Sequence, residues 1–367
     1  MKVLRIYHSG VVSGWRSRDR KLRDLGADLT LISSQSWNEG GRVVSLTPDP
    51  DEVWVVGART WGRHPFRFVY DPRPLWRALR EGPVDVLDIH EEPASLAVAE
   101  VLLLVALARK SQPAVCLYSA QNIYKRYPLP FRWLERLALR RASAIHTCNE
   151  AAGDIMRRKG FTGVVRNLGL GVDVERFRPE GCGADADPGV MRMGYVGRLE
   201  HHKGVDVLLR ALAKVPAADL TVVGEGPAGA ELARLVEQLG LRDRVSMQGF
   251  ATYDDLPDVY RRFGVVVVPS LETASWIEQF GRVAVEAMAS GSVVVASDSG
   301  SLPEVIGEAG ILVPPGDESA LADALQVLRD DAGLRAGLAE AGPGRAAFFS
   351  WTAVAARHEA LYEEMVR

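Results

Sequence analysis

The sequence predicts an α/β protein built from two doubly wound domains, each a parallel sheet with helices on both faces. Three observations predict it. The chain has 367 residues, more than one ordinary core takes up and well suited to two domains of roughly 150–180 residues each. Short β-branched runs alternate with helical stretches, the pattern of parallel strands joined by crossover helices. That alternation starts afresh near residue 191, after a segment rich in Gly, Pro and Asp. Two cores imply a cleft between them.

The opening run VLRIY reads as a strand, followed by a helix near 14–25 and then the strand DLTLIS. Later runs VDVLDIH, PAVCLYS and SAIHTCN supply further strands. Between two of them, LAVAEVLLLVALA at 96–108 falls short of the roughly 20 apolar residues of a membrane span and carries Glu100, so it reads as a buried helix. FRPEGCGADADPG reads as the interdomain linker, giving a first domain at 1–170, a linker at 171–190 and a second domain at 191–349. In the second domain MRMGYVG, DLTVVGE, RVSMQGF, GVVVVPS and SVVVASD are strands, with helices at about 204–215, 229–239, 255–263, 282–290 and 318–329. SWTAVAARHEALYEEMVR begins with a serine N-cap and repeats apolar residues at helical spacing, so 350–367 is a terminal helix.

Composition narrows the class. Hydrophobic residues at 47% and charged residues at 25% suit a globular enzyme rather than a disordered chain. A net charge of −3 leaves no global basic field for nucleic acid or an anionic membrane, so any anion must be held locally. Cys116, Cys148 and Cys182 have neither close pairing nor metal-ligand spacing and read as buried thiols of a reducing compartment. MKVLRIYHSG is a strand rather than a secretory segment, which predicts a cytoplasmic protein. Asp185 and Asp187 have a spacing that can hold a divalent metal, but no strand precedes them, and no metal or other cofactor is expected.

Several turns could carry chemistry. In GYVGRLEHHKG, Gly197 frees the backbone while Arg198 and Lys203 flank the start of a helix; unpaired N–H groups and two cations suit a diphosphate. In EQFGRVAVEAMASG, Glu278 and Glu286 are eight positions apart, about 80° around a continuous helix. They border one ligand only if Glu278 lies in a loop and Glu286 in a helix that Gly291 ends; carboxylates accept hydroxyl hydrogen bonds and so suit ribose and hexose. Gly224-Glu225-Gly226-Pro-Ala-Gly229 matches a dinucleotide fingerprint but follows the second strand of its domain, so it reads as a tight connection near a nucleotide, with an NAD-dependent dehydrogenase as a lesser alternative.

In the first domain Gly10, Ser13 and Gly14 lie between the first strand and its helix, where small residues let a ligand approach backbone amides. His90, Glu91 and Glu92 end another strand; His90 is a catalytic candidate and Glu91 an acceptor contact, with a hydrogen-bonded structural histidine as the other reading. KRYPLPFRWLERLALRRAS sets six cations beside Phe131, Trp133, Leu134 and Leu137. A solvated basic helix face and a site for a membrane surface or acceptor phosphate both fit it.

With these pieces in place, the sequence resembles the retaining glycosyltransferases of family 4, which have the GT-B architecture of two Rossmann-like domains facing across a cleft. The likeness is strongest from about 167 onward, where GLGVDVERFRP, GYVGRLEHHKG, LTVVGEGP, VVVVPS, EQFGRVAVEAMASG, SDSGSLPEVIG and GILVPPGD occur in the family's order. The resemblance implies that Arg198 and Lys203 hold a donor diphosphate, Glu286 the ribose and Glu278 the transferred sugar. Amides near Phe280 and Gly281 would help, with Gly197, Gly224, Glu225 and Arg282 bordering the same donor. Ser13 and Gly14 would lie beneath the diphosphate, and the terminal helix would cross back onto the first domain. Many relatives place a histidine where this chain offers Ser119, Gln121 and Asn122, which then become candidate sugar or acceptor contacts.

The implied activity is metal-independent transfer of a hexose, with front-face displacement in a cleft that closes over the donor. The donor is a uridine diphosphate sugar of the glucose or N-acetylglucosamine type first, guanosine diphosphate mannose second. The acceptor is a small molecule, saccharide or lipid-linked hydroxyl, and membrane contact is at most peripheral at the inner face. A nucleotide-sugar epimerase of the same architecture and a non-catalytic nucleotide-sugar-binding protein are the alternatives.

Overall fold

The computed structural model describes residues 1–39, 41–108, 112–179 and 190–367. The second half of the expected linker, with Cys182, Asp185 and Asp187, lies outside the described residues. The chain divides into two compact units: Met1–Gly169 with Trp351–Arg367, and Leu170–Ser350.

The first unit runs β1 (Lys2–Ile6), α1 (Ser17–Asp24), β2 (Asp28–Ser34), β3 (Ser36–Glu39), β4 (Arg42–Ser45), β5 (Val55–Ala58), β6 (Thr60–Trp61), β7 (Val69–Tyr70) and α2 (Pro72–Arg80). It continues through β8 (Val86–Ile89), α3 (Leu96–Ala108), β9 (Ala114–Ser119), α4 (Phe131–Arg141), β10 (Ala144–Thr147), α5 (Glu150–Arg158) and β11 (Val164–Asn167). Seven strands form one parallel sheet in the order β11-β10-β9-β8-β1-β2-β5. β8 is buried at every position, as expected of a parallel strand covered on both faces. Two antiparallel hairpins, β3 with β4 and β6 with β7, were not predicted. The predicted helix near 14–25 begins only at Ser17, after two short 3-10 turns over His8–Val11 and Ser13–Arg16. α2 starts where its sequence dictates: Pro72 fills the first turn, and Asp71 accepts from the Arg73 amide at 3.1 Å.

The second unit runs β12 (Met191–Val196), α6 (Val205–Lys214), β13 (Ala218–Val223), α7 (Gly229–Gln238), β14 (Val245–Gln248), α8 (Leu256–Tyr260), β15 (Val265–Val268) and α9 (Arg282–Ala289). It ends with β16 (Val293–Ser297), α10 (Leu302–Ile306), β17 (Gly310–Val313), α11 (Glu318–Asp330) and α12 (Ala332–Ala347). Its parallel sheet has the order β14-β13-β12-β15-β16-β17. Leu208 and Leu212 of α6, Leu232 of α7 and Leu325 of α11 pack on β12, β13 and β15 in one core. α12 forms although Pro343 lies within it, because packing against α9 outweighs local propensity.

The last helix, α13 (Trp351–Val366), belongs to the first unit. It covers one face of that sheet with α1, where Leu22, Ala355, Leu361 and Tyr362 share a core with Val3 and Leu29. α2, α3, α4 and α5 cover the opposite face. The expectation that 96–108 is a buried helix holds on one side only. Val98, Val101 and Val105 face the sheet, while Leu103 and Leu107 are 59% and 55% exposed, because α3 is a surface helix with a second apolar face.

Beneath α13 lies a buried ionic cluster. Asp88 Oδ2 accepts from Arg18 at 3.0 Å and from the Tyr362 hydroxyl at 2.7 Å, with Arg5 Nε 3.5 Å away. Arg5 also pairs with buried Asp19. Arg18 donates to His358 Nε2 at 2.6 Å while His358 Nδ1 donates to the Val354 carbonyl at 2.8 Å, so the imidazole is the neutral Nδ1–H tautomer. Burial, and after it Arg18 and His146, push His358 well below its ordinary value of 6.5. A histidine whose folded value is depressed contributes its full stability above the unfolded value and loses it as the pH falls below that point. An NMR titration should therefore find His358 still neutral at pH 6, where a free imidazole, with a pKa of about 6.5, is mostly charged. A midpoint at or above 6.5 would refute the assignment.

Candidate functional site

In an open parallel sheet, ligands meet the carboxyl ends of the strands where the strand order reverses. In the second unit that point lies between β12 and β15. The loop after β12 carries Gly197 to Lys203; the loop after β15 carries Ser270, Trp276 and Glu278. These loops meet: Lys203 Nζ donates to Glu278 Oε2 at 2.8 Å, and the Ser270 hydroxyl donates to the same oxygen at 3.1 Å. Lys203 Nζ also lies 4.4 Å from the centre of the Trp276 ring, a cation–π contact, and that ring packs 4.1 Å from His202. The Ser301 amide donates to the Glu278 carbonyl at 3.2 Å, so the loop after β16 buttresses Glu278.

Arg198 pairs within its own loop. Its guanidinium, largely exposed, pairs with Glu200 at 2.7 Å. The glycine turn after β13 is pressed against this loop. A Cβ on Gly224 would come within 1.9 Å of the Gly197 carbonyl oxygen, and one on Gly226 within 2.3 Å of the Leu199 oxygen. Leu199 N donates to the Glu225 carbonyl at 3.0 Å. The fingerprint spacing thus has a packing cause, and the Glu225 carboxylate turns away to accept from Phe250 N at 3.3 Å.

Glu278 lies in a loop and Glu286 in α9, the arrangement the eight-residue spacing required. Gly281, with φ of 79°, caps α9 and is followed by Arg282. The Phe280 side chain is buried, its ring 5.3 Å from that of Phe349. Glu286 is buried too: Oε2 accepts from the Tyr260 hydroxyl at 2.8 Å, and Oε1 lies 3.3 Å from Arg282 Nε. Burial raises its carboxyl above the ordinary value, with Arg282 and Tyr260 opposing. Oε1 is buried and makes no hydrogen bond, its ionic partner being Arg282.

In the first unit the strand order reverses between β8 and β1. Glu91, after β8, accepts from the His8 amide at 2.9 Å, from His8 Nδ1 at 2.6 Å and from the Tyr70 hydroxyl at 2.8 Å. Burial opposes charge on His8, but the Glu91 carboxylate raises its pKa above the usual value. His90 is buried and stacked on Tyr118 at 3.9 Å; burial, then Arg5 and Arg18, hold it well below the ordinary range and so neutral. Ser13 accepts from Arg20 at 2.8 Å in the 3-10 turn that also contains Gly14. Ser119 donates to Glu92 at 2.9 Å. Buried Gln121 accepts from Lys159 at 2.7 Å and keeps an unpartnered Nε2, while neighbouring Asn122 is half-buried. Sequence reasoning missed His8, His202, Ser270 and Trp276. Ser270 was within reach as the end of the VVVVPS run; Trp276 stands in a loop without any periodic signal.

The family model described as glycosyl transferases group 1 matches residues 187–345, and that for a glycosyl transferase 4-like domain matches residues 10–168. A D-inositol 3-phosphate glycosyltransferase of Corynebacterium jeikeium is 39% identical over 245 residues, 60% of this chain and 57% of the relative. An alpha-D-kanosaminyltransferase of Streptomyces kanamyceticus is 33% identical over 253 residues, 64% of each. The chain spans about three fifths of the length of these curated relatives. Among solved structures, a sucrose-phosphate synthase from Thermosynechococcus elongatus matches with a TM-score of 0.73 at 22% identity over 100% of this chain and 99% of that one. The Anabaena protein HepE in complex with UDP matches with a TM-score of 0.73 at 20% identity over 99% and 100%. These two likenesses are of fold. Matched in both of its halves, the chain belongs to the group 1, family 4 glycosyltransferases, and its two parallel-sheet units have the GT-B architecture.

Proposed function

We propose that the chain is a retaining hexosyltransferase that moves a sugar from a nucleotide-diphosphate donor to a hydroxyl acceptor without a metal ion. The observation that carries this reading is the Lys203–Glu278 pair at the switch point of the second unit. An ammonium has three N–H donors; the contact with Glu278 uses one and leaves others for diphosphate oxygens, and the Glu278 carboxylate accepts from a hydroxyl of the transferred sugar. Lys203, Arg198 and the amides at the start of α9 then stabilise charge on the departing diphosphate. In the front-face step the acceptor oxygen bonds to the anomeric carbon as its bond to phosphate breaks, and the acceptor proton passes to a phosphate oxygen on that side. Glu286 receives the ribose through the carboxylate oxygen that lacks a hydrogen bond. The curated relatives named as glycosyltransferases support the reaction class.

The donor is of the uridine diphosphate glucose or N-acetylglucosamine type first, guanosine diphosphate mannose second. A thermal-shift screen separates these, since a ligand at 100 times its Kd stabilises the folded state by about 2.7 kcal/mol. We expect the largest shift from a uridine diphosphate sugar. A larger shift from guanosine diphosphate mannose would reverse the donor order, and none from any nucleotide sugar would remove the reading.

A further inference from the structure

We propose that the outer face of the first unit formed by α2, α3 and α4 docks on an anionic phospholipid surface. All three helices pack their inner sides into one core, Leu75 and Leu79 from α2, Val98 and Val101 from α3, Ala138 and Leu139 from α4. They therefore cover the same side of the sheet, and α3 lies against both neighbours. Their outer sides look away from the sheet together.

The middle of this face is apolar and its flanks are cationic. Leu103 and Leu107 stand one turn apart on α3, and Trp133 and Leu137 one turn apart on α4, all between 55% and 61% exposed. Arg136, Arg140 and Arg141 share the outward side of α4, and Arg73, Arg77 and Arg80 that of α2. The acidic residues of these helices are engaged: buried Glu135 pairs with Lys159 at 2.5 Å, and half-buried Glu100 accepts from the Tyr70 amide at 2.8 Å. No carboxylate is thus exposed on any of the three helices, in a chain whose net charge is −3. An aqueous surface has no use for four large apolar side chains, whereas a lipid interface takes leucine and tryptophan into the acyl boundary and arginine against phosphate. No helix among the described residues is long and apolar enough to cross a membrane, so contact is by lying on the surface. The predominance of arginine on this face favours anionic lipid over a second copy of the chain, whose identical face would repel it.

Co-sedimentation of the full chain with vesicles tests this. We expect binding to phosphatidylcholine vesicles that contain phosphatidylglycerol, and little to phosphatidylcholine alone. Replacing Arg136→Glu and Arg140→Glu together should weaken partitioning by about 30-fold or more, at roughly 1 kcal/mol per arginine. Trp133→Ser with Leu137→Ser should abolish the binding that survives high salt. All four positions are exposed, and an unchanged melting temperature confirms that the variants fold. Equal binding to both vesicle types, or full binding by both variants, overturns the proposal. So does self-association in sedimentation velocity that Trp133→Ser with Leu137→Ser removes while the unaltered chain ignores vesicles.

Discussion

Lys203→Ala should transfer sugar at about one hundredth of the unaltered rate or less, the usual consequence of removing a group that stabilises charge developing in the transition state. The loss should fall mainly on kcat, because the ammonium matters most once the diphosphate bears the charge of the broken bond. A secondary effect adds to it. Glu278, deprived of its 2.8 Å partner, keeps a carboxylate beside the incoming phosphates. Lys203→Ala combined with Glu278→Gln should for that reason bind donor more tightly than Lys203→Ala alone, a non-additivity expected of two residues in contact. Steady-state transfer assays and donor titration read both quantities. Full turnover by Lys203→Ala would refute the mechanism, and equal donor affinity in the single and double variants would refute the repulsion.

The second large effect is on stability. Asp88→Ala should destabilise the first unit by about 3–5 kcal/mol, the cost of breaking a buried ion pair by removing one partner. Asp88 and Asp19 balance Arg5 and Arg18 with all four side chains nearly inaccessible, and burial opposes but does not overcome the arginines that hold Asp88 well below its usual pKa. Without Asp88 two guanidiniums share one carboxylate, and the Tyr362 hydroxyl loses its acceptor. Chemical denaturation should show the first unit's transition shifted to lower denaturant. A change below about 1 kcal/mol would mean that water or relaxation supplies what the carboxylate does.

Much of the architecture was legible because parallel strands buried on both faces leave continuous apolar runs such as VVVV at 265–268, which no other element of that length explains. The loops that meet at the switch point of the second unit were legible for a related reason: charge and glycine at strand ends mark where a backbone must turn. Edges and partners were less accessible. The hairpins β3–β4 and β6–β7 alternate too briefly to stand out, and α12 hides behind Pro343. Arg5, Asp19, Asp88 and His358 are scattered through the sequence, so only the folded sheet reveals them as one cluster. Spacing identified Lys203 and Glu278 separately, but their 75-residue separation kept their direct contact out of view. Arg198 shows the opposite limit. Its place in the motif was readable, while its pairing with Glu200 depends on a rotamer.

The position of α13 gives the two units an order of birth. As the chain leaves the ribosome, residues 170–350 emerge complete before the helix that finishes the unit begun at Met1. Until Trp351–Val366 arrives, the nascent first sheet carries Asp88 without Tyr362 and Arg18 without His358, on a face that α1 covers without α13. Translation therefore finishes the second unit before the first, whose sheet is sealed only when α13 follows.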